Sequence, residues 1–181
     1  MFRFLEDIVR EVVPLFPGKY FHIGGDECPK TSWKNCPTCQ KRIEAEGLQA
    51  DGKHSAEERL QSYVIKRMEK MLAKYGRKII GWDEILEGGL SPEATVMSWR
   101  GTSGGISAAL QKHDVIMTPG SGGLYLDHYQ GDYKIEPVTI PSAPAYLSRT
   151  YNYEPVPDTI KSLGLEKHIL GVQCNNWSEY M

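Results

Sequence analysis

The stretch Tyr20-Phe21-His22-Ile23-Gly24-Gly25-Asp26-Glu27 is a short apolar run that ends in two glycines and two adjacent acids. The run has the length and composition of a β-strand, and the glycines are typical of a point where the chain leaves strand geometry. Neighbouring side chains of a regular strand point to opposite faces, but after two glycines both carboxylates can face one pocket. The stretch therefore predicts a strand whose carboxyl end presents paired acids.

Four further apolar runs have the character of strands, at residues 78–82, 95–99, 114–118 and 169–174. Helical patterns or long loops separate them, and Ser55-Ala56-Glu57-Glu58 is a capping box that predicts the start of a long helix. Strands that are apolar throughout are expected where both faces are covered. Their alternation with helices predicts a parallel sheet with right-handed crossovers, either an open doubly wound sheet or part of a (β/α)8 barrel.

Polar and aromatic residues follow the carboxyl end of every predicted strand, and this favours the barrel. In barrel enzymes the active site is assembled from the carboxyl ends of several strands. No glycine-rich phosphate-binding motif follows a strand, so the sequence does not favour a dinucleotide-binding or P-loop fold. We therefore predict an α/β fold, a partial (β/α)8 TIM barrel. The residues concerned are Asp26-Glu27, Trp82-Asp83-Glu84, Trp99-Arg100, Tyr125 with Asp127, and Asn175-Asn176-Trp177-Ser178-Glu179.

Paired carboxylates and strand-end tryptophans together suit a carbohydrate substrate. Two close carboxylates disfavour joint ionisation, so one can stay protonated and act as a general acid. Aromatic rings stack on the apolar face of a sugar, while acids bind its hydroxyl groups. For Asp26-Glu27 alone, a solvated turn is the competing interpretation, and each tryptophan alone could be a core residue.

These motifs, in this order, resemble those of glycoside hydrolase family 20, the β-N-acetylhexosaminidases. His22-Ile23-Gly24-Gly25-Asp26-Glu27 resembles the family signature H-x-G-G-D-E, and the resemblance covers essentially the whole chain. It implies a single domain, residues 1–181, that holds about the last five strands of the barrel, strands 4 to 8. The other matching motifs are Gly81-Trp82-Asp83-Glu84, Ser98-Trp99-Arg100-Gly101, Leu124-Tyr125-Leu126-Asp127 and Asn176-Trp177-Ser178-Glu179.

The resemblance implies hydrolysis of terminal, non-reducing, β-linked N-acetylglucosamine or N-acetylgalactosamine by a substrate-assisted retaining mechanism, an exception to the usual two-carboxylate scheme. On this reading the substrate's acetamido oxygen attacks C1, Glu27 is the general acid and then the base, and Asp26 accepts the acetamido N–H. No metal or organic cofactor is implied. The implied substrate-binding residues are Tyr125 at the acetamido oxygen, Trp82, Trp99 and Trp177 around the sugar, and Asp127 and Glu179 at ring hydroxyls.

Composition excludes several partners. The net charge of −2 and the 40% hydrophobic share are ordinary for a soluble globular protein, and no basic cluster suggests nucleic acid. No apolar run approaches the roughly 18 residues of a membrane span. The first residues carry acids in a helical pattern and are not typical of a signal peptide. The expected partner is an N-acetylhexosamine-containing glycan, and the resemblance favours an exported parent protein (periplasmic, secreted or lysosomal).

Four cysteines are present, Cys28, Cys36, Cys39 and Cys174. Cys36-Pro37-Thr38-Cys39 has the spacing of a zinc-binding or redox pair, but zinc usually requires a second such pair or suitably spaced histidines. We interpret these cysteines as thiols on a loop.

A partial barrel would leave strand edges uncovered, so we expect self-association and a chain that is part of a longer protein. Three alternatives stay open. The first is a sugar-binding fragment without turnover. The second is a retaining glycosidase in which Glu27 works with Glu179 or Asp127 as a protein nucleophile. The third is an interaction domain that is stabilised by zinc on Cys28, Cys36 and Cys39.

Overall fold

The structure, a computed structural model, describes residues 1–140 and 144–177. The chain divides into two compact units, Met1–Thr95 and Val96–Met181. That residues 1–181 form one domain stays a prediction.

The first unit contains one pair of parallel strands with a long helix between them in sequence. Strand β1 pairs with β2, and Tyr20 lies opposite Lys78 while His22 lies opposite Ile80. This is the β-α-β arrangement that the apolar runs predict. The elements of the unit are α1 (Phe2–Val12), a 3-10 turn (Val13–Leu15), β1 (Tyr20–His22), α2 (Thr31–Lys34), α3 (Pro37–Ala45), α4 (Ala56–Ala73), β2 (Lys78–Trp82) and a second 3-10 turn (Asp83–Leu86).

The predicted capping box at the start of α4 is confirmed. The Ser55 hydroxyl accepts a hydrogen bond from the Glu58 amide at 3.2 Å, and the Ser55 amide donates to the Glu58 carboxylate at 2.6 Å. In the loop before it, hydrogen bonds from the amides of Lys53 and His54 and from Arg59 lower the pKa of Asp51 to about 2. The start of helix α4 is therefore determined by the capping hydrogen bonds between Ser55 and Glu58.

Helix α4 packs the aliphatic side chains Leu60, Ile65 and Leu72 into the core of the first unit. Ile79 and Ile85, from β2 and the turn after it, are fully buried in the same unit. Full burial of each such side chain contributes roughly 1.5–3 kcal/mol to folding.

The second unit contains three parallel strands. Strand β4 pairs with β3 on one side and with β5 on the other, and an irregularity between Val115 and Ile116 shifts the register against β5. The predicted parallel α/β fold is confirmed within both units. The elements are β3 (Thr95–Ser98), α5 (Ser103–Leu110), β4 (Val115–Met117), a 3-10 turn (Gly120–Gly122), α6 (Leu147–Tyr151), α7 (Asp158–Ser162), a 3-10 turn (Glu166–His168) and β5 (Ile169–Val172).

Helix α5 lies directly against β4 because Gly105 has no side chain. A Cβ atom at Gly105 would lie 2.7 Å from the Met117 sulfur and 3.0 Å from a Val115 methyl carbon. The Gly105 amide donates to the Ser98 hydroxyl at 2.9 Å, which ties the first turn of the helix to the end of β3.

Two parts of the chain carry helices that the sequence did not predict. The proline, cysteine, lysine and glycine content of residues 28–54 predicts a polar loop with one short helix near residues 40–46. The structure has α2 there in addition to α3, which overlaps the predicted helix and begins at Pro37. Proline suits a first helical position because that amide has no partner within the helix. Helix α6 lies in the proline- and tyrosine-rich stretch, where turn residues obscure a helical pattern. Among the described residues, no helix has the length and hydrophobicity that a membrane span requires.

Candidate active site

Hydrogen bonds extend the pairing of β1 and β2 beyond the regular strands. The Ile23 amide donates to the Ile80 carbonyl at 2.9 Å, and the Trp82 amide donates to the Gly24 carbonyl at 3.0 Å. The Gly24 amide turns back to the Nδ1 atom of His22 at 3.1 Å. Residues 24 and 82 are therefore held side by side at the carboxyl end of the strands.

The backbone at Gly24-Gly25 takes a form that other residues adopt only under strain. Their φ angles are +72° and +101°. A Cβ atom at Gly25 would lie 2.5 Å from a methyl carbon of the fully buried Ile85. The predicted role of the two glycines, to let the chain leave strand geometry before the acids, is consistent with these angles.

The Gln61 side chain of α4 holds this turn by hydrogen bonds. Its side chain is 4% exposed, and its amide nitrogen donates to the Gly25 carbonyl at 3.0 Å and to the Glu84 carbonyl at 3.3 Å. One side chain therefore fixes the turn after β1 and the turn after β2. The sequence did not indicate Gln61, because a polar residue next to the apolar stripe of a helix is expected to face solvent.

Asp26 and Glu27 lie exposed immediately after this turn. Glu27 has φ of +45°, a left-handed conformation that is uncommon for residues other than glycine and asparagine. Its amide faces the Glu84 carboxylate at 3.5 Å. The structure thus places both predicted catalytic carboxylates at the carboxyl end of β1. They directly follow a turn that Gln61 and Ile85 contact.

The motif after β2 is buried. Trp82, Asp83 and Glu84 are 8%, 1% and 5% exposed, and the two acids lie in the 3-10 turn that follows the strand. The sequence favours an interpretation of Asp83 and Glu84 as loop and salt-bridge acids, and the structure places both in the 3-10 turn, buried inside the unit. Trp82 packs against His22 with 4.6 Å between ring centroids.

The pH dependence of stability should report on His22. His22 is exposed overall, but partial loss of water around its ring lowers its pKa below the usual 6.5, and the charge of Asp26 opposes the shift only in part. The unfolded chain therefore binds this proton more readily, so His22 destabilises the fold as the pH falls through 6.5. We expect His22→Asn, which keeps an acceptor for the Gly24 amide, to lose less stability than the parent between pH 7.5 and pH 5.5 in urea unfolding. An equal loss in both proteins would contradict this expectation.

Replacing Gln61 by Met should destabilise the first unit by about 2 kcal/mol, because two buried carbonyl groups lose their donor while the side-chain volume is kept. Urea unfolding measures the difference. Gln111→Met is the matched control, since Gln111 is exposed and its amide bonds only to the Ser107 carbonyl of its own helix. If both substitutions cost the same, Gln61 does not fasten the turn.

In the second unit, a bridge between residues 125 and 175 continues the strand pairing toward the predicted site residues. The Leu126 amide donates to the Asn175 carbonyl and the Asn175 amide donates to the Leu124 carbonyl, both at 2.8 Å. Tyr125 is 9% exposed and packs edge-on against His128, with ring centroids 5.1 Å apart.

Asp127 and Trp177 line one cavity of about 540 Å³ in the second unit. The Oδ1 atom of Asp127 is buried and has no hydrogen-bond partner among the described residues. The Thr139 hydroxyl donates to the Asp127 carbonyl and so fixes the backbone beside it. A buried carboxylate oxygen without a donor suits a ligand hydroxyl group. The remaining lining residues are Leu126, His128, Gln130, Glu136, Pro137, Val138, Thr139 and Asn176.

The other predicted residues are placed less completely. Trp99 is half-buried directly after β3, and Trp177 is 41% exposed. Glu179 lies outside the described residues. Tyr125 is not among the residues that line the cavity of Asp127.

The cysteines do not form a metal centre in the part of the chain that the structure describes. Residues 1–140 and 144–177 contain no group of three or more His, Cys, Asp or Glu side chains that could hold a metal ion. Cys36 and Cys39 do not lie on a loop as expected, because Cys36 caps α3 and Cys39 is in its first turn.

Comparison with known sequences gives a family match over residues 1–181, to glycosyl hydrolase family 20, catalytic domain. The chain is 60% identical to a beta-hexosaminidase of Porphyromonas gingivalis over 183 residues, covering 100% of this chain and 22% of that protein. It is 36% identical to a beta-hexosaminidase of Vibrio furnissii, covering 98% of this chain and 28% of that protein. The chain thus spans 22% and 28% of the lengths of these curated relatives.

Solved structures give the same relationship. The exo-β-N-acetylglucosaminidase of Vibrio harveyi, in complex with N-acetylglucosamine, matches with a TM-score of 0.85 and 30% identity over 99% of this chain and 27% of that one. A chitobiase of Flavobacterium johnsoniae matches with a TM-score of 0.75 and 30% identity, covering 98% of this chain and 25% of that one.

Proposed function

Since the chain belongs to glycosyl hydrolase family 20, we propose that the protein carrying it is a β-N-acetylhexosaminidase that hydrolyses terminal β-linked N-acetylglucosamine or N-acetylgalactosamine. The observation that carries the proposal is the exposed pair Asp26 and Glu27, held at the carboxyl end of β1 by the glycine turn. This end of a parallel strand is where barrel enzymes place catalytic groups. The relatives named above bear the same activity in their names.

In the proposed mechanism the substrate supplies its own nucleophile. The acetamido oxygen attacks C1 while Glu27 protonates the departing glycosidic oxygen, and Glu27 then removes a proton from the water that opens the cyclic intermediate. Asp26 accepts the acetamido N–H and stabilises the positive charge that develops on that group. The exposure of both carboxylates agrees with access from the open end of the strands.

The substrate contacts follow the same logic. We assign Asp127 to a ring hydroxyl, because its buried oxygen lacks a donor among the described residues and lies at a cavity that also exposes Trp177. Trp82, Trp99 and Trp177 are assigned to the walls of the sugar site, and Tyr125 to the acetamido oxygen. Glu179 is assigned to a ring hydroxyl from the sequence motif alone.

Within the proposal, residues 1–181 are one domain that corresponds to strands 4 to 8 of the family barrel. Self-association through uncovered strand edges is also proposed for the isolated chain. Light scattering tests it, and a monomeric mass across the concentration range would contradict it.

The deciding experiment compares two chromogenic substrates that share a leaving group, a β-N-acetylglucosaminide and a β-glucoside, using the protein that carries this chain. We expect hydrolysis of the first and none of the second, because only the first contains the acetamido nucleophile. Equal cleavage of both would favour a protein carboxylate as nucleophile. Binding of N-acetylglucosamine without cleavage would favour a sugar-binding protein.

A further inference from the structure

Cys36 and Cys39 form a paired-thiol site at the start of α3. Cys36 is the N-cap residue, with extended backbone angles φ −87° and ψ 113°, and Pro37 follows at the first helical position. Both thiols are half-buried, and neither is in a disulfide. The proposed hydrolase chemistry uses Asp26 and Glu27 and does not use this site.

The positions of the two cysteines on the helix allow a disulfide. Helix geometry places the Cα atoms of residues three apart about 5 Å from each other, within the roughly 4.4–6.8 Å that a disulfide spans. A disulfide between Cys36 and Cys39 is therefore compatible with the backbone at the start of α3.

The two thiols differ in pKa. Hydrogen bonds from the Cys39 amide and thiol, and from the Thr38 amide, lower the pKa of Cys36, whereas donation to Cys36 raises the pKa of Cys39. A thiolate is the attacking species in thiol–disulfide exchange. Cys36 is thus suited to attack and Cys39 to resolve the product.

We propose that Cys36 and Cys39 are a redox-active pair that forms a reversible disulfide by exchange with a low-molecular-weight disulfide such as glutathione disulfide. The Cys36 thiolate attacks one sulfur of the reagent, so that a mixed disulfide forms and one reagent thiolate leaves. Cys39, after losing its proton, attacks the Cys36 sulfur and releases the second reagent thiolate. In total two protein thiols are oxidised and one disulfide reagent is reduced to two thiols.

The disulfide would lock a segment that neighbouring hydrogen bonds already hold in place. The Cys36 amide donates to the Trp33 carbonyl at 3.3 Å, and Gln40 donates to the same carbonyl at 2.9 Å and to Glu57 of α4 at 3.1 Å. The bond would therefore strengthen the connection from α2 through α3 to α4. Such a bond persists only in an oxidising compartment, and it opens where thiols are kept reduced.

The test uses the full chain, reduced and then equilibrated with oxidised and reduced glutathione at a series of ratios, followed by acid quenching, alkylation and mass spectrometry. We expect loss of two of the four alkylatable thiols and a cross-linked peptide joining Cys36 to Cys39. Cys39→Ser should instead accumulate one glutathione on Cys36, whereas Cys36→Ser should form no internal bond. The double variant Cys28→Ser/Cys174→Ser is the matched control and should behave as the parent.

Three results would overturn the proposal. All four thiols could remain alkylatable at every ratio, the bond could involve Cys28 or Cys174, or the parent could retain stable glutathione adducts without ring closure. Far-UV circular dichroism of each variant separates a loss of exchange from a loss of folding. Because the readout is mass and not turnover, failure here leaves the proposed hydrolase function untouched.

Discussion

Glu27→Gln is expected to lower kcat/KM for hydrolysis of a β-linked N-acetylglucosaminyl disaccharide by about 10²–10⁴-fold, the usual contribution of a general acid and base. Glutamine keeps the size of the side chain but cannot give a proton to the leaving oxygen. The loss should be smaller for a nitrophenyl glycoside, because a good leaving group needs less protonation. Initial rates with the two substrates measure both effects.

Two observations separate this role from a structural one. Glu44→Gln is the matched control, since Glu44 is an exposed acid on α3, and it should keep the parent's rate. The thermal unfolding midpoint of Glu27→Gln should remain near that of the parent because the side chain is exposed. An equal loss with both leaving groups would argue against proton donation by Glu27.

Gly25→Ala is expected to destabilise the chain by about 3 kcal/mol, from a strained left-handed backbone together with overpacking. The new methyl group would lie 2.5 Å from the Ile85 methyl, at a residue whose φ is +101°. The free energy of unfolding in urea measures the loss, and the hydrolytic rate should fall with it because Asp26 follows directly.

Gly47→Ala is the matched control for backbone strain alone. Gly47 has φ of +63°, but no atom lies within 4 Å of the position that its Cβ would take. We expect it to cost about 1 kcal/mol. In an Ile85→Ala background, which lacks the Cγ2 methyl group, Gly25→Ala should cost less than it does in the parent. If Gly25→Ala costs no more than Gly47→Ala, the contact with Ile85 does not constrain the turn.

Strand positions were predictable because apolar runs and their polar ends are local in sequence. Lys78–Trp82 was predicted at both of its ends, and the start of α4 followed from the capping chemistry of Ser55 and Glu58. The family resemblance depended on the same strand-end residues. Short-range chemistry of this kind leaves a direct mark on the sequence.

Features that depend on packing between distant residues were not predictable. The buried positions of Gln61 and Glu84 arise because carbonyl groups of two turns converge on α4, and no spacing in the sequence indicates that. The start of α3 at Pro37 was placed near Gln40 instead because the helix is mostly polar, with Ile43 its one buried side chain. The cavity of Asp127 is built from residues on both sides of a long loop, whose path no local pattern predicts.

At Glu27 the left-handed backbone favours a glycine or an asparagine, whereas the proposed reaction requires an acid. Glycine or asparagine would relieve the conformation, but neither can act as an acid. In a laboratory lineage selected for thermal stability without an activity screen, we therefore expect position 27 to be among the first to drift, and toward these two residues. If Glu27 has the proposed role, a natural sequence retains the glutamate for turnover, at the expense of a more relaxed backbone.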